Sequence, residues 1–223
     1  GRFIQVKRVE IIKRCQSDSR IQMKLTLDSI LPHLLEKRVE EEDLVRSIKS
    51  LRDSFTINRQ NIKKYTLSRK DVSAYTAFYL PTNIPKLTFL LDRLDKRLLK
   101  RFEIEDWDIF DIGCGPGTFS LGWCRYFKSL ERFRFKLIDL SEQMLEQAQA
   151  LFDNFFPEVQ RDCFSGACSD IDLGINSQKN KVIIFGHSIN EMGIEHALNW
   201  VRRIRPDIVL VIGPGTKEVF NLT

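Results

Sequence analysis

Nowhere in this 223-residue chain is there a run of the roughly 20 apolar residues that a membrane-crossing helix needs. The first 30 residues alternate charged and apolar side chains, so the continuous apolar core of a secretory signal is lacking too. Cysteine is sparse and odd in number. Cys15, Cys114, Cys124, Cys163 and Cys168 include no Cys-x-x-Cys pair, which argues against a disulfide framework and against a simple zinc site. Internal repeats and low-complexity segments are also missing. With 43% hydrophobic and 29% charged residues the composition is globular, which rules out a disordered or collagen-like chain. The expectation is a soluble, intracellular protein with free thiols and no bound metal.

What the chain does have is charge segregated by position. Residues 1–102 carry 23 Lys and Arg against 12 Asp and Glu, a net of +11, while residues 103–223 carry 12 against 18, a net of −6. An excess of that size concentrates polyanions near one surface, so nucleic acid is the first partner to consider, the alternative being a Lys-rich solvated helical surface. This basic half reads as helices. Leu44, Ile48 and Leu51 recur at helical spacing within 40–55, and Leu87, Leu90, Leu91, Leu94 and Leu98 form a second stripe. Asn83 is suited to cap that second helix, with Pro85 at its first turn. The densest basic stretch holds Arg59, Lys63, Lys64, Arg69 and Lys70, either a phosphate-contacting loop or a solvated turn.

After residue 103 the texture changes. Strand-like runs at 107–112, 133–140, 181–185 and 207–212 alternate with helix-like runs at 118–127, 142–152 and 195–205. A further strand near 159–164 is weaker, because Arg161 and Asp162 interrupt it. The pattern predicts an α/β, Rossmann-like parallel sheet with helices on both faces, occupying 103–223 and preceded by an all-helical region over 1–102.

The strongest local signal follows the first strand: Asp111, Ile112, Gly113, Cys114, Gly115, Pro116, Gly117 and Thr118. A sharp strand-to-helix turn whose backbone must approach a ligand excludes a Cβ, although a tight turn alone also uses glycine. The next strand ends in Asp139, Leu140 and Ser141, with Met144 following. A carboxylate there can accept both hydroxyls of a ribose, or simply end the strand, and Ser141 can cap the next helix. The dinucleotide pattern Gly-x-Gly-x-x-Gly is not met, since its sixth position is Thr118.

These two motifs resemble those of class I S-adenosylmethionine-dependent methyltransferases. The resemblance implies S-adenosylmethionine as cofactor, with Asp111, Gly113, Cys114, Gly115, Pro116 and Gly117 around its methionine part, Asp139 on the ribose, and Leu140 and Met144 near the adenine. Asp170 would approach the adenine amino group. Ala74-Tyr75, Leu80-Pro81-Thr82, Ser188-Ile189-Asn190-Glu191-Met192 and Pro214-Gly215-Thr216 further resemble a ribosomal small-subunit methyltransferase-like family of bacteria and mitochondria. That resemblance implies association with the small ribosomal subunit or its RNA, a role in ribosome assembly, and a cytoplasmic location, or a mitochondrial one in a eukaryote. The chain departs from it at Tyr79, where relatives carry Arg, and at Gly213, where an acidic residue commonly stands. Relatives also hold an iron-sulfur cluster on cysteines after Pro-Gly-Thr. Those cysteines are absent here, and Cys163 and Cys168 are too few to hold a cluster alone. Two C-terminal strands of the fold are expected to be missing from this chain.

The acceptor is expected beyond the fourth strand. Asn190 can orient a base edge, and Glu191 or His187 can remove a proton from a ring nitrogen; each also reads as a polar strand end or helix cap. The segment Gly186-His187-Ser188-Ile189 is not the Asn-Pro-Pro-aromatic loop of exocyclic-amine methylation. Three functions stay open at this point: an RNA methyltransferase, a non-catalytic ribosome-assembly or RNA-binding factor, and a small-molecule methyltransferase. The last has least need of a +11 half, since its pocket would be enclosed and apolar.

Overall fold

The computed structural model describes residues 25–36, 42, 45–49, 68–169, 171–175 and 178–213. Its centre is a five-stranded sheet: β1 (Trp107–Ile112), β2 (Phe133–Asp139), β3 (Gln160–Ser165), β4 (Asn180–Gly186) and β5 (Ile208–Ile212). The spatial order is β3-β2-β1-β4-β5, with every neighbouring pair parallel. Central parallel strands are covered on both faces and therefore read as unbroken apolar runs; all six residues of β1 are buried.

Helices α1 (Leu27–Ile30), α2 (Arg69–Leu91), α3 (Lys96–Ile104), α4 (Thr118–Tyr126), α5 (Glu142–Phe155), α6 (Ile189–Met192) and α7 (Ile194–Ile204) complete the described elements, with helical turns also at 31–33, 42, 45–49 and 130–132. Strand order reverses between β1 and β4. Right-handed crossovers then place α4 and α5 on one face and α7 on the other. Alternation along the strands matches this. Trp107, Ile109, Phe135, Leu137, Val182 and Ile184 join the core that includes α2, α4 and α5. Phe110, Ile112, Ile138, Ile183 and Phe185 join Ala197, Trp200 and Ile204 of α7.

The expected helix start at Asn83 is corrected. Helix α2 begins at Arg69 behind a Ser68 cap and runs on through Pro81 and Pro85. An internal proline costs about 3 kcal/mol through a missing donor and a ring clash. Here the helix persists because Leu80, Ile84, Leu87, Leu90 and Leu91 are buried on one side, with Ile84 and Leu87 against Gly122 of α4. Local capping preference loses to the packing of a long apolar face. The weak strand is also real. Asp162 of β3 faces Lys136 of β2 in register and pairs with it at 3.3 Å and with Arg134 at 2.8 Å. The charges that interrupt the apolar pattern are a cross-strand pair.

The boundary expected at 102/103 falls inside α3, and residues from 69 onward share the core of the sheet. Residues 25–36 are tied to the same body by Gln147 of α5, whose side chain accepts from the Leu35 amide at 2.9 Å and donates to the His33 carbonyl at 2.9 Å. Arg59, Lys63, Lys64, Asp170 and the Pro214-Gly215-Thr216 segment lie outside the described residues. No helix among the described residues is long and apolar enough to cross a membrane.

Candidate functional site

The C-terminal ends of β1, β2 and β4 converge where the strand order reverses, the position at which open parallel sheets bind ligands. The glycine loop occupies the first of these ends. Amides of Gly113 and Cys114 both donate to the Ile138 carbonyl, at 2.8 and 3.0 Å, which fixes the loop against β2. Gly113 has φ 68, and a Cβ there would lie 2.5 Å from the Ser188 Cβ. The loop and the β4 end are thus in contact through a position that only glycine can fill. Gly115 and Gly117 also have positive φ, Pro116 is buried, and Cys114 is buried with its thiol pushed up by that burial.

Asp111 is fully buried. Its Oδ2 accepts from the Ser120 hydroxyl at 2.6 Å and the Ser120 amide at 3.2 Å, while its Oδ1 has no protein partner. Burial pushes the carboxyl up to about 7 against the pull of the Ser120 bonds, and the Asp139 charge adds to the rise. Asp139 accepts from the Gly115 amide at 2.8 Å on one oxygen and from the Ser141 amide at 2.9 Å on the other. Burial raises it above the usual carboxylate range. A carboxylate has about four acceptor positions, so capacity remains for two hydroxyl donors. Ser141 caps α5, its hydroxyl accepting from the Met144 amide at 3.3 Å. Beside Asp139, Leu140 is 76% exposed, an apolar side chain standing open at the rim, while Met144 is buried beneath.

The β4 end is built from side chains. His187 takes the left-handed conformation, φ 64, held by its amide donating to the Ile212 carbonyl at 2.7 Å. Its Nε2 lies 3.0 Å from Nζ of Lys86 on α2. Burial, then the Lys86 charge, pulls the imidazole down to about 4, so it is neutral at pH 7. Burial lowers the Lys86 ammonium as well. Ser188 donates to the Ile112 carbonyl at 2.6 Å, closing β4 onto β1. Asn190 and Glu191 stand open at the rim. Enclosure by the surrounding mouth pushes Glu191 up to about 7, with the Asp139 charge second.

Helix α2 supplies the groups that sequence reasoning missed. Tyr75 lies 3.8 Å, at its ring edge, from where a Cβ on Gly115 would be. Its phenol is raised by burial first, then by the charges of Glu191, Tyr79 and Asp139. Tyr75, Asp139 and Glu191 therefore face one space. Gly186 was missed too: a Cβ there would sit 2.0 Å from the Phe119 ring, so the last residue of β4 must be glycine. An apolar run ending in Gly before His187 is its one sequence signal.

Of the basic stretch, Arg69 is exposed and ion-paired to Glu146 of α5, and Lys70 is half-buried in the first turn of α2. Among the described residues no group of three or more His, Cys, Asp or Glu is placed to hold a metal ion. A separate cavity of about 490 Å³ lies by α7, lined by Cys168, Ser169, His196, Asn199 and Arg203, and holds none of the expected site residues.

No family model and no curated protein matches the chain. Solved structures do. A candidate S-adenosyl-L-methionine-dependent methyltransferase from Methanococcus maripaludis superposes with a TM-score of 0.50 at 19% identity, over 72% of this chain and 70% of that one. An O-methyltransferase family protein from Burkholderia thailandensis gives a TM-score of 0.50 at 11% identity, over 71% of this chain and 48% of that one. The fold is the Rossmann-like fold of class I methyltransferases. The residues fit that class's cofactor: a Cβ-free cradle at Gly113, a carboxylate with spare acceptor capacity at Asp139, an open Leu140, and a buried Asp111 oxygen without a protein partner.

Proposed function

We propose that the chain is an S-adenosylmethionine-dependent methyltransferase acting on RNA of the small ribosomal subunit. The observation that carries the cofactor is Asp139, pinned through both oxygens by the Gly115 and Ser141 amides at the end of β2, with its outer acceptor positions toward the glycine loop. The net +11 of residues 1–102 and the resemblance of residues 188–192 to the small-subunit family support RNA.

The bound cofactor supplies an electrophilic methyl group on a sulfonium. The protein's part is positional: fixing the acceptor in line is worth about 7–11 kcal/mol. Asp139 orients the ribose, the Asp111 oxygen offers a buried acceptor beneath the loop, and Glu191 takes the proton that a ring nitrogen releases. Poised at about 7, it can hold that proton and return it to solvent. Neutral His187 accepts a hydrogen bond from Lys86 and keeps that ammonium at the rim.

Calorimetric titration with S-adenosylmethionine and S-adenosylhomocysteine tests the cofactor. Transfer of labelled methyl to an unmodified transcript of small-subunit ribosomal RNA tests the acceptor. Micromolar cofactor binding with RNA-dependent incorporation is expected. Binding without incorporation would return the chain to a non-catalytic assembly role.

A further inference from the structure

The outward face of α2 has no part in the core. Positions 75, 78, 79, 82 and 86 fall within about 100° of one another on a helical wheel. None of them is among the buried residues of α2, which are Val72, Ser73, Ala74, Thr76, Ala77, Leu80, Asn83, Ile84, Leu87, Leu90 and Leu91. Aromatic rings occupy this outer stripe. Tyr75 and Tyr79 have centroids 4.6 Å apart at 37°, and Phe78, 37% exposed, meets Tyr79 edge-on at 5.0 Å. The same stripe continues to Lys86 and to Phe89, whose ring carries the Arg93 guanidinium at 3.1 Å. From Val72 to Leu91 there is no acidic residue.

Both ends of the stripe touch the mouth of the site. Tyr75 stands by Gly115, and Lys86, eleven residues and about 16 Å further along the helix, stands by His187. Rings interleaved with cations along a surface without carboxylates suit bases, which stack, and phosphates, which pair. A duplex presents its phosphates but keeps its bases inside the stack.

We propose that the outer stripe of α2 binds single-stranded RNA, with an unpaired base stacking on the Tyr75–Tyr79 pair beside the methyl-transfer site. This rests on the reading of the acceptor as RNA. The substrate is therefore unpaired at the nucleotide that enters the mouth. Because stacking is tolerant of base identity, α2 selects strandedness and leaves sequence to other contacts.

The test uses the whole chain with fluorescein-labelled oligoadenylate, alone and annealed to oligouridylate, alongside calorimetry with S-adenosylhomocysteine. The single strand should bind more tightly than the duplex. Tyr79→Leu, which keeps apolar bulk but loses the ring, should weaken single-strand binding about tenfold or more, Tyr79→Trp should restore it, and the affinity for S-adenosylhomocysteine should not change. Equal binding of strand and duplex would overturn the proposal, as would an unchanged affinity in Tyr79→Leu. Parallel loss of both affinities would also overturn it, because the tyrosines would then close over the cofactor. Cofactor binding with no RNA binding of either form would remove both the RNA reading and this surface. Ring-dependent strand binding without cofactor binding would remove the cofactor reading and leave the surface standing.

Discussion

The two rims of the strand-end mouth are made of different material. The rim over β1 and β2 is backbone: a glycine loop, two amides on Asp139 and a helix cap at Ser141, all within 31 residues of chain, 111–141. The rim over β4 is side chains drawn from distant segments, with Tyr75 and Lys86 of α2 meeting Glu191 and His187 from more than 100 residues away. A backbone rim tolerates few substitutions but offers the same groups to any ligand of the right shape. A side-chain rim can change its residues one at a time, and so it is where acceptor choice is set.

The contrast breaks most readily at Gly186, where the two rims share one packing unit. Gly186→Ala drives a Cβ into the Phe119 ring and should destabilise the fold by about 3 kcal/mol, read as a lower urea midpoint with an unchanged m value. Only a small loss would mean that Phe119 can swing aside and that the β4 rim is looser than its packing indicates.

On the backbone rim, Asp139→Ala should cost about 1.5–3 kcal/mol of S-adenosylmethionine affinity, roughly 10- to 150-fold by calorimetry. RNA affinity should stay nearly intact. An equal loss of both would show that the rims do not act separately.

Protonation gives the two rims opposite signs. Asp111 is raised from 3.8 to about 7 in the folded state, so the native chain holds a proton that the unfolded chain releases, and stability falls as pH rises between about 4 and 7. Asp111→Asn should flatten that decline in urea midpoints measured across this range. His187 is lowered from 6.5 to about 4, so its contribution is present above 6.5 and is lost as pH falls toward 4. Lys86→Met removes the smaller of the two causes and should move the imidazole titration partway back toward 6.5, measured by proton NMR of the ring. An unmoved titration would leave burial as its sole cause.

Legibility followed the same division. The motif at 111–118, the strand-end Asp139 and the β1 to β5 pattern could be read because each depends on neighbours in sequence: positive-φ glycines, a cap three residues from its amide, apolar runs buried on both faces. Strand β3 read weakly, since the partner that makes Asp162 acceptable in a strand lies on β2. The expected start at Asn83 followed a sound local rule, yet the burial of one α2 face outweighs two internal prolines.

By itself, then, the sequence determined the class of fold, the glycine cradle and the carboxylate beside it, because those are properties of short segments and of hydrophobic period. Only the tertiary structure decided that α2 brings Tyr75, Tyr79 and Lys86 to the mouth, that Lys86 meets His187, and that Gly186 must lack a side chain. Each of those depends on the distance between groups far apart in the chain, which is set by how buried faces pack rather than by any local preference.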